Sequence, residues 1–287
     1  MRICSGLFTL LLLTGCQHAG PTLPPASLPE PSSLNGNLLQ DVDYAQVLEQ
    51  PYTPADMRIS YGTAPLQYGD LWLPKKSERT APLVIFVHGG CWLNQFDLKH
   101  SYPAASALQD LGYVVWSIEY RRTGDPGGGW PGSLQDIVQA IEYIQKQTTL
   151  PVDLSHITLV GHSAGGHLAL LASNALQSPV DKVIGLAPIV NIKNYAKGDN
   201  SCQTATSKFM SGTPEQHPER YSRANPVNFS YDKNVTLLAG GKDAIVPLPA
   251  NPLPDTQFIS VPGAGHFDWV HPRTQAFSYF VDLLETY

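Results

Sequence analysis

The chain has 287 residues, of which 43% are hydrophobic and 15% charged, so it can bury a large core as one globular domain. Its formal net charge of −6 is mild. The sequence contains no basic patch, no zinc-spaced Cys/His cluster and no glycine-rich phosphate loop. These features exclude nucleic acids and nucleotides as leading ligands, and we expect no metal and no organic cofactor.

The first fifteen residues have the pattern of an export signal. Arg2 gives a positive start, and residues 7–13 form an apolar run too short to span a bilayer permanently. Leu13-Thr14-Gly15-Cys16 resembles the bacterial lipobox, in which the peptide is cut before the cysteine and that cysteine is lipidated. The resemblance implies an exported protein of the bacterial cell envelope, held at a membrane only through the lipid on Cys16. An ordinary cleaved signal peptide is the alternative.

The next segment is rich in proline. Residues 17–40 hold five prolines among small polar residues, a composition that buries little surface and favours an extended tether. We therefore predict three segments. They are a signal peptide over 1–15, a lipidated cysteine with a proline-rich tether over 16–51, and a folded domain over 52–287.

Strand and helix patterns alternate along the predicted domain. Short apolar or β-branched runs predict strands at 57–61, 68–73, 83–87, 113–118, 157–160, 182–186, 235–239 and 257–261. Apolar residues at helical spacing predict helices at 100–111, 134–148, 164–176 and 274–286, and residues 191–232 are polar and partly helical. This alternation is typical of an α/β fold, a doubly wound, mainly parallel sheet with helices on both faces and no large cap domain.

One strand and helix of this series flank the turn Gly161-His162-Ser163-Ala164-Gly165. A reversal from strand to helix within about two residues makes the Ser163 hydroxyl project beyond the edge of the sheet. Bulky neighbours would collide with the strand and the helix, which is why glycines flank the turn. The helix points its free N–H groups at the serine, and the N–H of Ala164 can help to bind an oxyanion. We predict that Ser163 attacks a carbonyl.

A serine nucleophile needs a base, and the base needs a carboxylate that orients it. His266 follows the last predicted strand in a loop of small residues, which can carry its imidazole back across the carboxyl edge of the sheet. Asp243 lies just past the preceding strand at the same edge. Asp232 precedes that strand, and Asp268 is too close to His266 to reach its far nitrogen. The sequence therefore predicts a triad of Ser163, Asp243 and His266.

The Gly-His-Ser-Ala-Gly-Gly turn, the His-Gly-Gly-x-Trp loop at 88–92, the Asp243 turn and the Gly-His loop together resemble the α/β-hydrolase superfamily over about residues 55–287. Within it, the loop at 88–92 is similar to that of small bacterial esterases and of kynurenine formamidases. The resemblance implies that the backbone N–H groups of Gly90 and Cys91 join that of Ala164 in an oxyanion hole. Cys91 stands where that group usually shows a third glycine, but a backbone donor works with any side chain other than proline.

Four further residues are candidates for the substrate pocket. His162 flanks the nucleophile as a polar neighbour. Trp130 lies in a glycine-rich loop, and similar loops in this branch run beside the active site. A buried anchor for that loop is the alternative, and the same two interpretations apply to Trp92 and Trp269. Cys91 and Cys202 form a disulfide or stay as two free thiols, because sequence cannot place their Cα atoms within bonding reach.

Together these residues predict a carboxylesterase-type serine hydrolase that cleaves small or medium esters through an acyl-enzyme on Ser163. The polar residues at 191–232 do not resemble an interfacial lid, which disfavours triglyceride. Acetylated or feruloylated saccharides are candidate substrates by analogy with other exported enzymes. An arylformamidase of the kynurenine formamidase type is the first alternative, and a serine peptidase is a second. A catalytically silent, anchored binding protein is the alternative from another class. The oligomeric state stays open.

Overall fold

The computed structural model describes residues 38–75, 80–232, 234–249 and 253–285. The predicted signal peptide, Cys16 and the first part of the predicted tether lie outside these residues. The described strands are β1 (Met57–Ser60), β2 (Tyr68–Trp72), β3 (Ala81–Val87), β4 (Val114–Ile118), β5 (Val152–His162), β6 (Lys182–Leu186), β7 (Val235–Gly240) and β8 (Gln257–Val261). The described α-helices are α1 (Tyr44–Leu48), α2 (Tyr102–Asp110), α3 (Gly132–Ile144), α4 (Ala164–Ala175), α5 (Ile192–Tyr195), α6 (Ser201–Met210), α7 (Pro218–Arg223) and α8 (Gln275–Glu285).

The strands form one sheet in the order β1-β2-β4-β3-β5-β6-β7-β8. The β1/β2 and β2/β4 pairs are antiparallel, and the five pairs from β4/β3 to β7/β8 are parallel. The predicted mainly parallel α/β sheet is therefore confirmed, with every predicted strand in place. No helix of the described ranges is both long and apolar enough to cross a lipid bilayer.

The middle of the sheet is covered on both faces. Every residue of β4 and β7 is buried, whereas β1 and β8, at the two edges, keep most residues partly or fully exposed. Apolar runs such as Leu83-Val84-Ile85-Phe86-Val87 give this result because each side chain, whichever face it points to, meets a helix. Full burial of one such side chain contributes about 1.5–3 kcal/mol to the free energy of unfolding.

Two elements depart from the predicted bounds by more than two residues. Strand β5 begins at Val152, five residues before its predicted start, because Val152 and Asp153 pair with Ala81 and Pro82 ahead of a register shift. Helix α3 ends at Ile144, whereas apolar spacing predicted a helix to residue 148. Residues 145–148 carry no apolar side chain that could pack on the core, and the last of them is the β-branched Thr148, which favours a helix less.

The folded domain begins earlier than predicted. The N-terminal strap, which we define as residues 38–48, lies on the domain and buries Val42 and Val47. Leu39 forms a bridge with Thr274 and donates its N–H to the carbonyl of Arg273 over 2.9 Å. The predicted domain start at residue 52 is therefore wrong. Proline-rich composition ends at residue 31, and the strap beyond it carries apolar side chains that have a surface to cover.

The parallel strands all end at one edge of the sheet. The loops that follow β3, β5, β7 and β8 carry the residues predicted for the oxyanion hole, the nucleophile, the acid and the base. The topology therefore brings together segments that are far apart in the chain, at the edge where open α/β sheets bind their ligands.

Candidate active site

Ser163 occupies the turn between β5 and α4, with φ 57° and ψ −120°. A non-glycine residue in this region is strained, and the strain is held by the packed elements on both sides. The Ser163 N–H donates to the carbonyl of Leu186 over 2.8 Å. A side chain on Gly161 would collide with the carbonyl oxygen of Gly165, and one on Gly165 would collide with that of His88. The glycines are therefore required by close backbone packing, as the motif predicted.

His266 and Asp243 are joined by a short hydrogen bond. The Nδ1–H of His266 donates to Asp243 Oδ2 over 2.7 Å, and both side chains are buried. The other oxygen of Asp243 accepts the N–H groups of Ile245 and Val246, each over 2.8 Å. Because both oxygens are engaged, the carboxylate has one orientation. It holds the imidazole in the tautomer that keeps the Nε2 lone pair available for a proton.

His162 supports the loop that carries His266. Its Nε2–H donates to the carbonyl oxygen of His266 over 2.9 Å, and the two rings lie 4.8 Å apart. Burial, followed by the neighbouring imidazoles of His266 and His100, lowers the pKa of His162 well below its usual range. His162 is therefore neutral and acts as a fixed donor that positions the backbone of His266.

The loop after β3 presents backbone N–H groups beside Ser163. Gly90 and Cys91 have φ values of 105° and 53°, so the chain turns sharply at this point. Ala164 begins α4, where the first N–H groups of a helix lack partners within the helix. Among the described residues, no group accepts the N–H of Gly90, Cys91 or Ala164. Gly90 and Cys91 line the cavity beside Ser163, and Ala164 directly follows Ser163 in the chain.

A buried ionic network holds this loop from below. Glu119, which follows β4, accepts from His88 Nε2 over 3.0 Å and from the N–H of Tyr120 over 2.9 Å. Its second oxygen lies 3.2 Å from Arg122 Nη1 and accepts the N–H of Leu98 over 3.4 Å. A buried carboxylate with this many partners is well compensated. Sequence reasoning did not assign this role to Glu119.

Cys91 and Cys202 form a disulfide, with their Cα atoms 5.0 Å apart. This resolves the alternative that the sequence left open. The bond joins the loop after β3 to α6 across 111 positions of the chain. The backbone that carries the Cys91 amide is therefore held from two sides, by the sheet and by α6.

A cavity of about 180 Å³ lies beside Ser163. The predicted residues that line it are Gly90, Cys91, His162, Ser163 and His266. Asp243 lies behind His266, at 7% exposure. The cavity is mainly apolar, and three half-buried aromatic residues, Tyr44, Phe96 and Phe267, form part of its wall. The structure thus brings Ser163 and His266 to one cavity.

Three predicted pocket residues do not line this cavity. Trp92 is fully buried, where its ring stacks on Phe209 with centroids 4.9 Å apart and its Nε1–H donates to His167. Trp269 is also fully buried, and Trp130 packs edge-on against Phe209. Their large rings stabilise the core beneath the loops. The pocket assignment of Trp92, Trp130 and Trp269 is therefore wrong, and only His162 of the four candidates lines the cavity.

The aromatic wall could not be found from the motifs. Tyr44 belongs to the strap, Phe96 to the loop before α2, and Phe267 directly follows His266. Only Phe267 has a signal in the sequence, its adjacency to the predicted base. Among the described residues, no group of three or more His, Cys, Asp or Glu side chains is arranged to hold a metal ion.

Comparison with known proteins agrees with this geometry. The BD-FAE family model matches residues 69–251. Esterase LipC of Mycobacterium tuberculosis is 27% identical over 239 residues, which cover 73% of this chain and 59% of that protein. Kynurenine formamidase of Danio rerio is 34% identical over 174 residues, covering 60% of this chain and 56% of that protein. The chain thus spans less than two thirds of the length of these curated relatives.

A solved structure, that of esterase B from Lactobacillus rhamnosis, superposes with a TM-score of 0.68 at 19% identity and covers 85% of this chain and 89% of that one. At this identity, the likeness is one of fold. The predicted α/β-hydrolase fold is confirmed by it.

Proposed function

The chain belongs to the BD-FAE family, and we propose that it is a serine hydrolase that cleaves small or medium carboxylic esters through an acyl-enzyme on Ser163. The observation that carries the proposal is the 2.7 Å hydrogen bond between Asp243 and His266 at a cavity that Ser163 also lines. The relatives named as esterases support the same reaction class. A strained serine, an oriented imidazole and unpartnered amides together form the requirements for acyl transfer.

In the proposed mechanism, the hydroxyl oxygen of Ser163 bonds to the ester carbonyl carbon while His266 Nε2 removes the hydroxyl proton. The carbonyl oxygen gains the negative charge of the tetrahedral intermediate. The imidazolium then gives its proton to the alkoxide that leaves, and an acyl-enzyme on Ser163 remains. Water attacks this acyl group with His266 again as base, which releases the carboxylic acid and restores the serine. Asp243 stabilises the imidazolium in both half-reactions.

The proposed oxyanion hole consists of the N–H groups of Gly90, Cys91 and Ala164. Its support is the positive φ of the first two residues and the position of the third at the start of α4. Donors that are fixed before the reaction need no reorganisation when the charge develops. The loss of one such donor costs about 10²–10³-fold in kcat in other serine hydrolases.

Small or medium esters are the proposed substrates because the cavity is small and mainly apolar. A volume of about 180 Å³ accommodates a short acyl or alcohol group. Residues 191–232 are mostly polar, and their sequence does not predict the broad apolar face of an interfacial lid. A formyl amide is the second candidate substrate, and the likeness to a kynurenine formamidase favours it.

Fluorophosphonate labelling tests the proposal directly. The wild-type protein should be labelled on one serine, and Ser163→Ala should lose the label. Ser178→Ala should keep it, because Ser178 is exposed, follows the far end of α4 and does not line the cavity. An unlabelled wild-type protein would contradict a serine hydrolase and favour a binding protein. Turnover of p-nitrophenyl butyrate, N-formylkynurenine and an acetylated sugar then separates the substrates. Rapid turnover of the formyl compound alone would replace the ester proposal with the amide one.

The proposed location is the bacterial cell envelope, with the enzyme anchored through a lipid on Cys16. The support is the sequence Leu13-Thr14-Gly15-Cys16 behind a short apolar run. Mass spectrometry of the mature N-terminus should find a diacylglyceryl-modified Cys16, and Cys16→Ser should release the protein from the membrane fraction. A mature chain that begins at another residue without lipid would rule the anchor out.

A further inference from the structure

The N-terminal strap contributes an aromatic ring to the cavity beside Ser163. The ring of Tyr44 lies 5.7 Å from that of Phe96 and nearly perpendicular to it, 5.5 Å from Phe267 and 5.9 Å from His100. These are centroid distances of packed aromatic pairs. Tyr44 is thus built into the cavity wall and does not merely lie over its entrance.

The strap is held in place by one buried carboxylate. Asp268 Oδ1 accepts the N–H of Val42, and its Oδ2 accepts the N–H of Asp41, both over 2.8 Å. Hydrogen bonds to an ionised acceptor are stronger than those between neutral groups. Val47, three residues after Tyr44, is completely buried and fixes the other end of α1. The tyrosine therefore has a rigid support on both sides.

The same carboxylate reaches the loop of the proposed base. Asp268 Oδ2 also accepts the N–H of Gly265 over 3.1 Å, and Gly265 directly precedes His266. One side chain thus sets the distance between the strap and the loop that carries His266. The ring of Tyr44 has a defined position relative to the reacting groups.

The walls of the cavity differ in how they are attached. One side consists of Cys91 and Cys202, joined by a covalent bond, together with the backbone of the loop after β3. Tyr44 is half-buried and comes from a short helix outside the sheet. Its side chain can therefore be replaced without cutting into the central sheet or the disulfide.

We propose that Tyr44 determines the size of the ester group that the cavity accepts, so that the strap is a specificity element of the active site. The inference rests on the proposed ester hydrolysis. A ring that closes an apolar cavity excludes longer chains, because those chains must then leave methylene groups in water. Removal of the ring extends the apolar space away from Ser163 and leaves the proposed triad unchanged.

The test compares p-nitrophenyl octanoate with p-nitrophenyl butyrate in the full chain. Each methylene that gains burial adds about fourfold to kcat/KM, so two or three of them predict a rise of roughly 15-fold to 60-fold in the octanoate-to-butyrate ratio for Tyr44→Ala. Tyr44→Trp, with a larger ring, should lower the same ratio. Tyr52→Ala is the matched control, since Tyr52 is exposed and does not line the cavity, and its ratio should equal that of the wild type.

The outcomes separate this inference from the proposed function. A wild-type protein that reacts with the fluorophosphonate while all four proteins share one octanoate-to-butyrate ratio overturns the role of Tyr44 alone. A wild-type protein that neither reacts nor turns over esters overturns the proposed function first. Thermal unfolding of each variant shows whether it folds, and Tyr44→Leu replaces Tyr44→Ala if the alanine variant does not. The leucine variant should raise the ratio in the same direction.

Discussion

The proposed catalytic groups and the cavity wall are held by different parts of the molecule. Ser163, Asp243 and His266 each follow a strand of the parallel sheet, so their positions depend on strand order and on backbone hydrogen bonds. Tyr44 and Phe96 come from segments that do not belong to the sheet. On the proposed function, the chemistry then depends on the core of the fold, whereas selectivity depends on attached segments that can change separately.

The largest expected effect belongs to the catalytic side of this comparison. Asp243→Asn should lower kcat by about 10³–10⁴-fold, because an amide at this position favours the wrong tautomer of His266. The side chain keeps its size and its contact with the Ile245 amide, so the melting temperature should change far less than the activity. Asp110→Asn, an exposed position on α2, is the control and should keep wild-type activity. Equal losses of activity in both variants would contradict the role of Asp243.

The disulfide joins the loop of the proposed oxyanion hole to α6, and its loss should lower both the stability of the protein and the rate of ester hydrolysis. Cys91→Ala with Cys202→Ala should lower the free energy of unfolding by about 2–5 kcal/mol, since the bond closes a long loop of chain. The kcat should fall as well, because the Cys91 amide loses one of its two supports. Urea unfolding and ester kinetics measure the two effects. Dithiothreitol should lower the free energy of unfolding and the kcat of the wild-type protein and leave those of the double variant unchanged. Equal sensitivity of both proteins would refute the disulfide's role.

Buried histidines make the stability of the core dependent on pH. Burial lowers the pKa of His167 to about 4 and that of His100 to about 3. In the unfolded chain both histidines have pKa values near 6.5, so between pH 6.5 and about pH 4 the unfolded chain binds more protons than the folded one. The stability that the neutral histidines contribute is therefore fully present above pH 6.5 and is lost as the pH falls. At pH 5, each of these histidines should cost about 2 kcal/mol relative to pH 8.

His167→Gln tests this dependence. The amide can donate to the carbonyl of Ala224 and accept from Trp92, as the imidazole does, but it does not titrate. Urea unfolding from pH 8 to pH 5 should therefore show a smaller loss of stability than in the wild type. His156→Gln, at an exposed position where the imidazole lies 2.8 Å from Asp153, should not reduce the loss. If the free energy of unfolding of the His167 variant fell with pH as steeply as that of the wild type, His167 would not contribute to the pH dependence.

The sequence was sufficient for the proposed catalytic groups because each follows from a backbone requirement. The glycines beside Ser163 indicate that two backbone segments approach closely there. Asp243 and His266 each follow a strand that the sequence predicts. The parallel order then determines that these strand ends share one edge. Local patterns were therefore enough to predict that Ser163 and His266 lie at one cavity and that His266 pairs with Asp243.

The cavity wall was not predictable in this way. Trp92 and Trp269 lie close to the motifs in sequence, but the direction of a side chain in a turn depends on the turn geometry, and both rings lie in the core. Tyr44 has no motif, and its segment follows a proline-rich stretch that reads as a tether. Its position depends on Asp268, a contact across more than two hundred residues that no local pattern encodes.

The smallest expected effect belongs to the attachment of the strap. Asp268→Asn removes the charge that three N–H groups share and turns an NH₂ toward one of them, which should cost the strap roughly 1–2 kcal/mol of local stability. Hydrogen exchange at the amides of Asp41 and Val42 should become about 10-fold faster or more, and the octanoate-to-butyrate ratio should rise as Tyr44 gains freedom. Asp199→Asn, at an exposed site, should change neither quantity. Faster exchange with an unchanged ratio would show that the strap can loosen without moving the wall, and the two sides of the site would then be more independent than the Asp268 contacts indicate.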